Sequence, residues 1–154
     1  PTIVLETRVD APRERVFDLA RSVDRHVETM GHEERAIAGT TSGHLEAGDT
    51  VTWRARHFGV SMDLTVEITA MDPPRSFRDE QVSGPFATLV HEHRFEALND
   101  DRTLMRDEFH FTSPAGPLGM LVDKLVLRRY LRRLLESRNR SLRSIAEDGT
   151  ADEE

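Results

Sequence analysis

The sequence has no cysteine, and its 154 residues include one lysine, one tryptophan and one tyrosine. The lack of cysteine excludes a disulfide framework, cysteine-based zinc sites and a thiol nucleophile. No apolar run approaches the roughly 18–20 residues of a membrane span, so stable membrane insertion is not expected. Pro1–Asp10 has no basic region followed by an apolar one, which a signal peptide needs, and alternates like a strand instead. Internal repeats, low-complexity blocks and splitting linkers are absent too. Together these absences predict a single soluble, cytoplasmic domain over residues 1–147. A chain of this length buries roughly 68–70% of its unfolded surface and needs no staple.

Charge is abundant, at 32% of residues, and the formal net charge is −7. Five of the acids lie in the last eight residues; without them, 23 acids face 21 bases. The body is nearly neutral, which argues against a nucleic-acid partner. Residues 148–154 are too polar to pack and read as an acidic disordered tail.

Thr2–Asp10 alternates as a half-buried strand. Ala11-Pro12 breaks it and opens a helix, with Asp10 available as its cap. A second short helix, roughly Val23–Thr29, is ended by Gly31. Strands follow at Glu34–Thr40, Thr50–Phe58, Val60–Met71, Ser76–Ser83, Phe86–Leu98 and Arg102–Thr112, with turn residues between them. Consecutive hairpins make the sheet antiparallel. From Pro117 the chain reads as helix to about Glu147. Only that helix is large enough to cover the apolar face of the sheet.

This order resembles the helix-grip fold of the START-like and birch-pollen-allergen-like (SRPBCC) superfamily, over about Pro1–Glu147. The carrying motifs are Asp10-Ala11-Pro12 with Val16-Phe17, Asp72-Pro73-Pro74-Arg75, Phe77-x-Asp79-Glu80-Gln81 with Gly84-Pro85-Phe86, His91-x-His93-x-Phe95-Glu96, and Gly116-Pro117-Leu118-Gly119. They point to the bacterial polyketide-cyclase/dehydrase-like branch. The resemblance implies an α+β domain: a seven-stranded antiparallel sheet curved around a long C-terminal helix, with two short helices between strands 1 and 2. It also implies a cavity for apolar ligands; the reaction, if any, must be argued from the site.

Hairpin arithmetic sorts the faces, because opposed residues share one. A turn at Phe58-Gly59 sets His57 against Val60, Ala55 against Met62 and Trp53 against Leu64. A three-residue turn at Asn99–Asp101 sets Phe95 against Met105, His93 against Asp107 and His91 against Phe109. A two-residue turn would bury Arg106 and expose Phe109 and Phe111, at a cost of several kcal/mol. With Phe77 inward, Asp79 and Gln81 face inward as well.

The predicted cavity is therefore lined by Trp53, His57, Met62, Phe95, Met105, Phe109 and Leu131. Its polar end is Asp79, Gln81, His91, His93 and Asp107. On the long helix, Leu118, Leu121, Val122 and Leu125 lie nearly opposite Leu127, Leu131, Leu134, Leu135, Leu142 and Ile145. One straight helix cannot bury both faces, so a break is expected near Val126–Arg128. The segment Ser113–Leu125 would then gate entry. Arg138 falls on the apolar face and needs an internal carboxylate, Asp79 or Asp107.

Three chemistries compete. His91-x-His93 could share a zinc with Asp107, Asp79 or His57, but no longer zinc signature accompanies the pair, and the expectation is no metal and no cofactor. His93 oriented by Asp107 could act as a general base beside a carbonyl, as in a cyclase/dehydrase-type enzyme. Without such chemistry the cavity binds or carries a hydrophobic or aromatic small molecule, the reading preferred here. An adaptor working through the outward arginines Arg129, Arg132, Arg133, Arg140 and Arg143 is the third.

Overall fold

The computed structural model describes residues 1–30, 34–114, 116–117, 121 and 123–152. Its elements run β1 (Thr2–Val9), α1 (Arg13–Ala20), α2 (Val23–Met30), β2 (Arg35–Gly39), β3 (Thr50–His57), β4 (Val60–Asp72), β5 (Ser76–Ser83), β6 (Thr88–Asn99), β7 (Arg102–Thr112), a π-helical turn at Asp123–Leu127 and α3 (Arg128–Asp152). The seven strands form one antiparallel sheet in the order β1-β7-β6-β5-β4-β3-β2. Only the β1–β7 pairing is non-local. This is the helix-grip arrangement.

Strand alternation sets the registers. Around Phe58-Gly59 the pairs are His57 with Val60, Ala55 with Met62 and Trp53 with Leu64. Both turn residues adopt positive φ, 54° and 76°, as a two-residue hairpin requires. At the β6–β7 hairpin, Phe95 meets Met105, His93 meets Asp107 and His91 meets Phe109, as expected. The extra residue does not lie in the turn, however. Asn99 pairs with Arg102 and the ladder shifts between Ala97 and Asn99, so Leu98 is a bulge. A bulge absorbs one residue and keeps both faces in phase on either side of it.

Two apolar clusters hold the helices on the sheet. Phe17 of α1 is 1% exposed and meets Phe77 and Phe95 edge-on at 5.7 and 5.4 Å. Val9, Met105 and Leu142 belong to the same cluster. Ile3, Leu5, Leu89, Phe109, Phe111, Leu131 and Leu135 form the other. Burying each such side chain contributes about 1.5–3 kcal/mol. The Thr103 hydroxyl donates to the Ala11 carbonyl at 2.8 Å, tying the β1–α1 corner to β7. Asp10 does not cap α1: Pro12 occupies the cap position, and the Asp10 carboxylate lies 3.1 Å from Arg102.

On α3 the buried stripe is Leu131, Leu135, Arg138, Asn139, Leu142 and Ala146, spaced three and four apart as one helix face demands. The expected break takes the form of the π-helical turn at Asp123–Leu127. Its extra residue rotates the following face by about 100°, separating the two apolar phases without a proline. Leu121, Leu125 and Val126 before α3 are more than half exposed; Leu118 and Val122 lie outside the described residues. Helix α3 is described as far as Asp152.

Candidate functional site

Between the two apolar clusters the sheet and α3 enclose a cavity of about 340 Å³. Of the residues named from the sequence, Trp53, His57, Met62, Asp79, His91, His93, Phe109, Leu131 and Arg138 line it. Four predicted residues do not. Phe95 and Met105 pack in the cluster under Phe17, which fills that end of the grip. Gln81 is spent on the loop after β5: its amide donates to the Phe86 carbonyl at 2.8 Å and accepts the Phe86 N–H at 3.1 Å. Asp107 is 1% exposed and lies behind the wall.

The polar end comes from three adjacent strands. His91 and His93 share the inner face of β6, and their rings stack at 3.7 Å. Phe77 of β5 stacks on His93 at 4.1 Å. Asp107 of β7 receives His91 Nε2 at 2.8 Å and Asn139 Nδ2 at 2.8 Å, and sits 3.5 Å from Arg138 Nη1 and 3.4 Å from His93 Nδ1. Asp79 of β5 is 3.3 Å from His93 Nε2 and 4.0 Å from His91 Nδ1. His93 thus contacts Asp107, its directly opposed residue on the ladder, and Asp79 as well. The close partner of Asp107 is His91, its diagonal neighbour across the ladder, because side chains lean along the strand. His93 lies between both carboxylates. The internal partner of Arg138 is Asp107.

These contacts set the charges. Burial, then repulsion by His93, pushes His91 down to about 4, against the hydrogen bond to Asp107 and the charges of both carboxylates. Burial also disfavours a charged His93, but Asp79 and Asp107 outweigh it and raise its pKa. Burial opposes ionisation of both carboxyls. Even so, the histidines and Arg138 hold Asp79 below, and Asp107 well below, the usual carboxylate range. At neutral pH His91 is a neutral ring. The ligating atoms of Asp79, His91 and His93 lie within 4.8 Å of one another, the one such group among the described residues.

The sequence reading missed the opposite end. His26 of α2 stacks on Trp53 at 4.0 Å, and its Nε2 lies 2.7 Å from the buried carboxylate of Glu34; both residues line the cavity. At the mouth, the Tyr130 hydroxyl and His57 Nδ1 share a hydrogen bond of 2.6 Å, and Phe58 packs on the Tyr130 ring. The only signal for these residues was apolar helical phase, which says which face is buried but not what it meets. The arginines of the proposed stripe are exposed, and Arg132 pairs with Glu136 at 3.0 Å.

The model of the polyketide cyclase / dehydrase and lipid transport family matches residues 9–137. A protein from Thermus thermophilus, TTHA0849, superposes with a TM-score of 0.73 at 19% identity, over 94% of this chain and 95% of its own. The Zhui aromatase/cyclase from Streptomyces sp. R1128 gives 0.69 at 15%, over 97% and 98%. A START superfamily protein from Mycobacterium smegmatis gives 0.71 at 14%, over 96% and 97%. At such identities the likeness is one of fold. No curated protein sequence matches significantly. Among the described residues no helix is long and apolar enough to cross a membrane.

Proposed function

Since the chain belongs to the polyketide cyclase / dehydrase and lipid transport family, we propose that it binds an apolar or aromatic small molecule in this cavity. The observation that carries the reading is the contrast within the cavity wall. Trp53, Met62, Leu64, Phe86, Phe109 and Leu131 form an apolar sleeve, and Asp79, His91 and His93 are grouped on one side. Such a sleeve desolvates a hydrophobic body, and a few placed polar groups orient its one polar function. The volume is at the small end of the usual range of roughly 300–1,000 Å³, so a compact ligand of one to a few rings fits better than a long acyl chain.

The test is mass spectrometry of small molecules extracted from the purified protein, followed by titration with the compound found. One-to-one binding that weakens by about 1–3 kcal/mol in His93→Gln, with no product formed, supports a carrier. A protein that yields no compound and binds no aromatic probe would refute the reading.

A second reading rests on His93. Held between two carboxylates at the cavity wall, it is a strengthened base suited to taking a proton beside a carbonyl. For a cyclase/dehydrase-type enzyme, His93→Gln would slow turnover while leaving affinity largely intact.

A further inference from the structure

Asp107 is an acceptor, so each imidazole nitrogen directed at it carries hydrogen. Those are His91 Nε2 at 2.8 Å and His93 Nδ1 at 3.4 Å. In a neutral ring the opposite nitrogen then holds the lone pair. The two opposite nitrogens, His91 Nδ1 and His93 Nε2, both face Asp79, at 4.0 and 3.3 Å. His93 Nε2 is hydrogen-bonded to Asp79, so one ring lone pair, one N–H that a cation would displace and a carboxylate converge at the wall of the cavity, and all three residues line it.

Behind them, Asp107 fixes tautomer and orientation of both rings, as carboxylates behind metal-bound histidines do. Asp107 is itself fixed by Asn139 at 2.8 Å and Arg138 at 3.5 Å. Alternate positions on one strand point two imidazoles the same way, and the neighbouring strand supplies the oxygen.

We infer that Asp79, His91 and His93 bind one divalent first-row transition-metal ion, with its remaining coordination positions open to the cavity. Metal–nitrogen bonds of about 2.0–2.1 Å put tetrahedral ligand atoms about 3.3 Å apart. The His93–Asp79 distance already meets that value. The His91–Asp79 distance of 4.0 Å and the 3.7 Å stacking of the two rings mean that both imidazoles must turn out of the stack to share one ion. Two imidazoles with one carboxylate suit zinc, cobalt or iron(II), whereas calcium and magnesium prefer all-oxygen shells. An ion here would offer its open positions to an oxygen of whatever molecule enters the sleeve. The expectation of no metal weighed the missing zinc signature, with Asp79 already among the candidate third ligands; the fold adds the distances that bring Asp79 to both rings.

The test uses the full chain, untagged, stripped with chelator and titrated calorimetrically with zinc chloride or cobalt chloride alone. It is therefore independent of any organic ligand and of the carrier reading. One ion per chain is expected. Nitrogen-15 spectra of the wild type should show the His91 and His93 ring signals shifting while those of His44 and His110 stay. Asp79→Asn and His93→Gln should each weaken binding by about 100-fold or more, beyond the roughly 10–100-fold loss expected of Asp107→Asn, which only holds the rings. His44→Gln should bind as the wild type does. No saturable one-to-one binding, movement of other histidine signals instead, or unchanged affinity in Asp79→Asn and His93→Gln would overturn the inference. Should a variant fail to fold, the wild-type spectra decide alone.

Discussion

Acidification should destabilise this protein through His91 before any carboxylate is titrated. The buried ring holds its proton only below about 4, whereas an unfolded histidine titrates near ~6.5. Its folded value is depressed, so between these limits the unfolded chain binds the extra proton and stability falls with pH. From pH 6.5 to pH 5 the loss through this one residue is about 1–2 kcal/mol, and it grows further toward pH 4. His93 has the opposite sign. Its raised value gives stability that is fully present below about 6.5 and lost only as pH rises through the folded value, so it adds little slope in this window. Asp79 and Asp107 are depressed and contribute loss only as pH falls below the unfolded carboxylate range, ~3.9. Urea unfolding at pH 6.5 and 5.0, with chelator present, should therefore show the wild type losing about 1–2 kcal/mol more than His91→Gln, which cannot titrate. Equal losses in the two proteins, or a wild type that gains stability at pH 5, would refute the burial argument.

Arg138→Ala strands the Asp107 carboxylate behind the cavity and should cost about 3–5 kcal/mol. Arg140→Ala, on the exposed face, should stay within about 0.5 kcal/mol; equal melting temperatures would contradict the helix phase. Gly39 and Gly43 both have positive φ, 73° and 77°. A Cβ at Gly39 would run into the Thr50 carbonyl, while one at Gly43 meets nothing. Gly43→Ala should thus cost about 1–2 kcal/mol for the left-handed backbone alone, and Gly39→Ala an additional 1–3 kcal/mol or so. Denaturation midpoints of the two variants check the order.

The sheet was legible because its strands alternate cleanly and a wrong register would bury arginine. That constraint placed His57, His91 and His93 on the inner face; Asp79 followed from turning Phe77 inward rather than Arg78. It could not distinguish a three-residue turn from a two-residue turn with a bulge at Leu98, since both give the same faces. Nor could it see distances along a face, which is why Asp107 was matched with the residue opposite rather than with His91 on the diagonal. Gln81 and Phe95 were correctly faced and wrongly lined, because a face does not say where Phe17 will fill it. His26 on α2, Glu34 at the start of β2 and Tyr130 on α3 reach the cavity only through tertiary docking, which helical phase does not specify. The two apolar phases before and after Leu127 did register that the helix could not be uniform.

The first strand pairs with the last: Ile3 lies opposite Phe109, and Asp10 donates its N–H to Glu147 on α3 at 3.0 Å. A ribosome releases β1 long before either partner exists. At synthesis rates of about 5–20 residues per second, β1 waits several seconds with its apolar alternation unpaired. The hairpins from β3 to β7 can zip locally in that time, but the sheet edge beside β7 stays open until β1 closes it. Such distant pairing costs loop entropy before it brings contacts, which places folding on the slow side for a domain this size. Chaperone dependence and aggregation of nascent chains should therefore centre on β1 and the β7 edge, and a circular permutant that joins the end of the chain after α3 to Pro1, with its new ends between β1 and α1, should fold faster than the natural order.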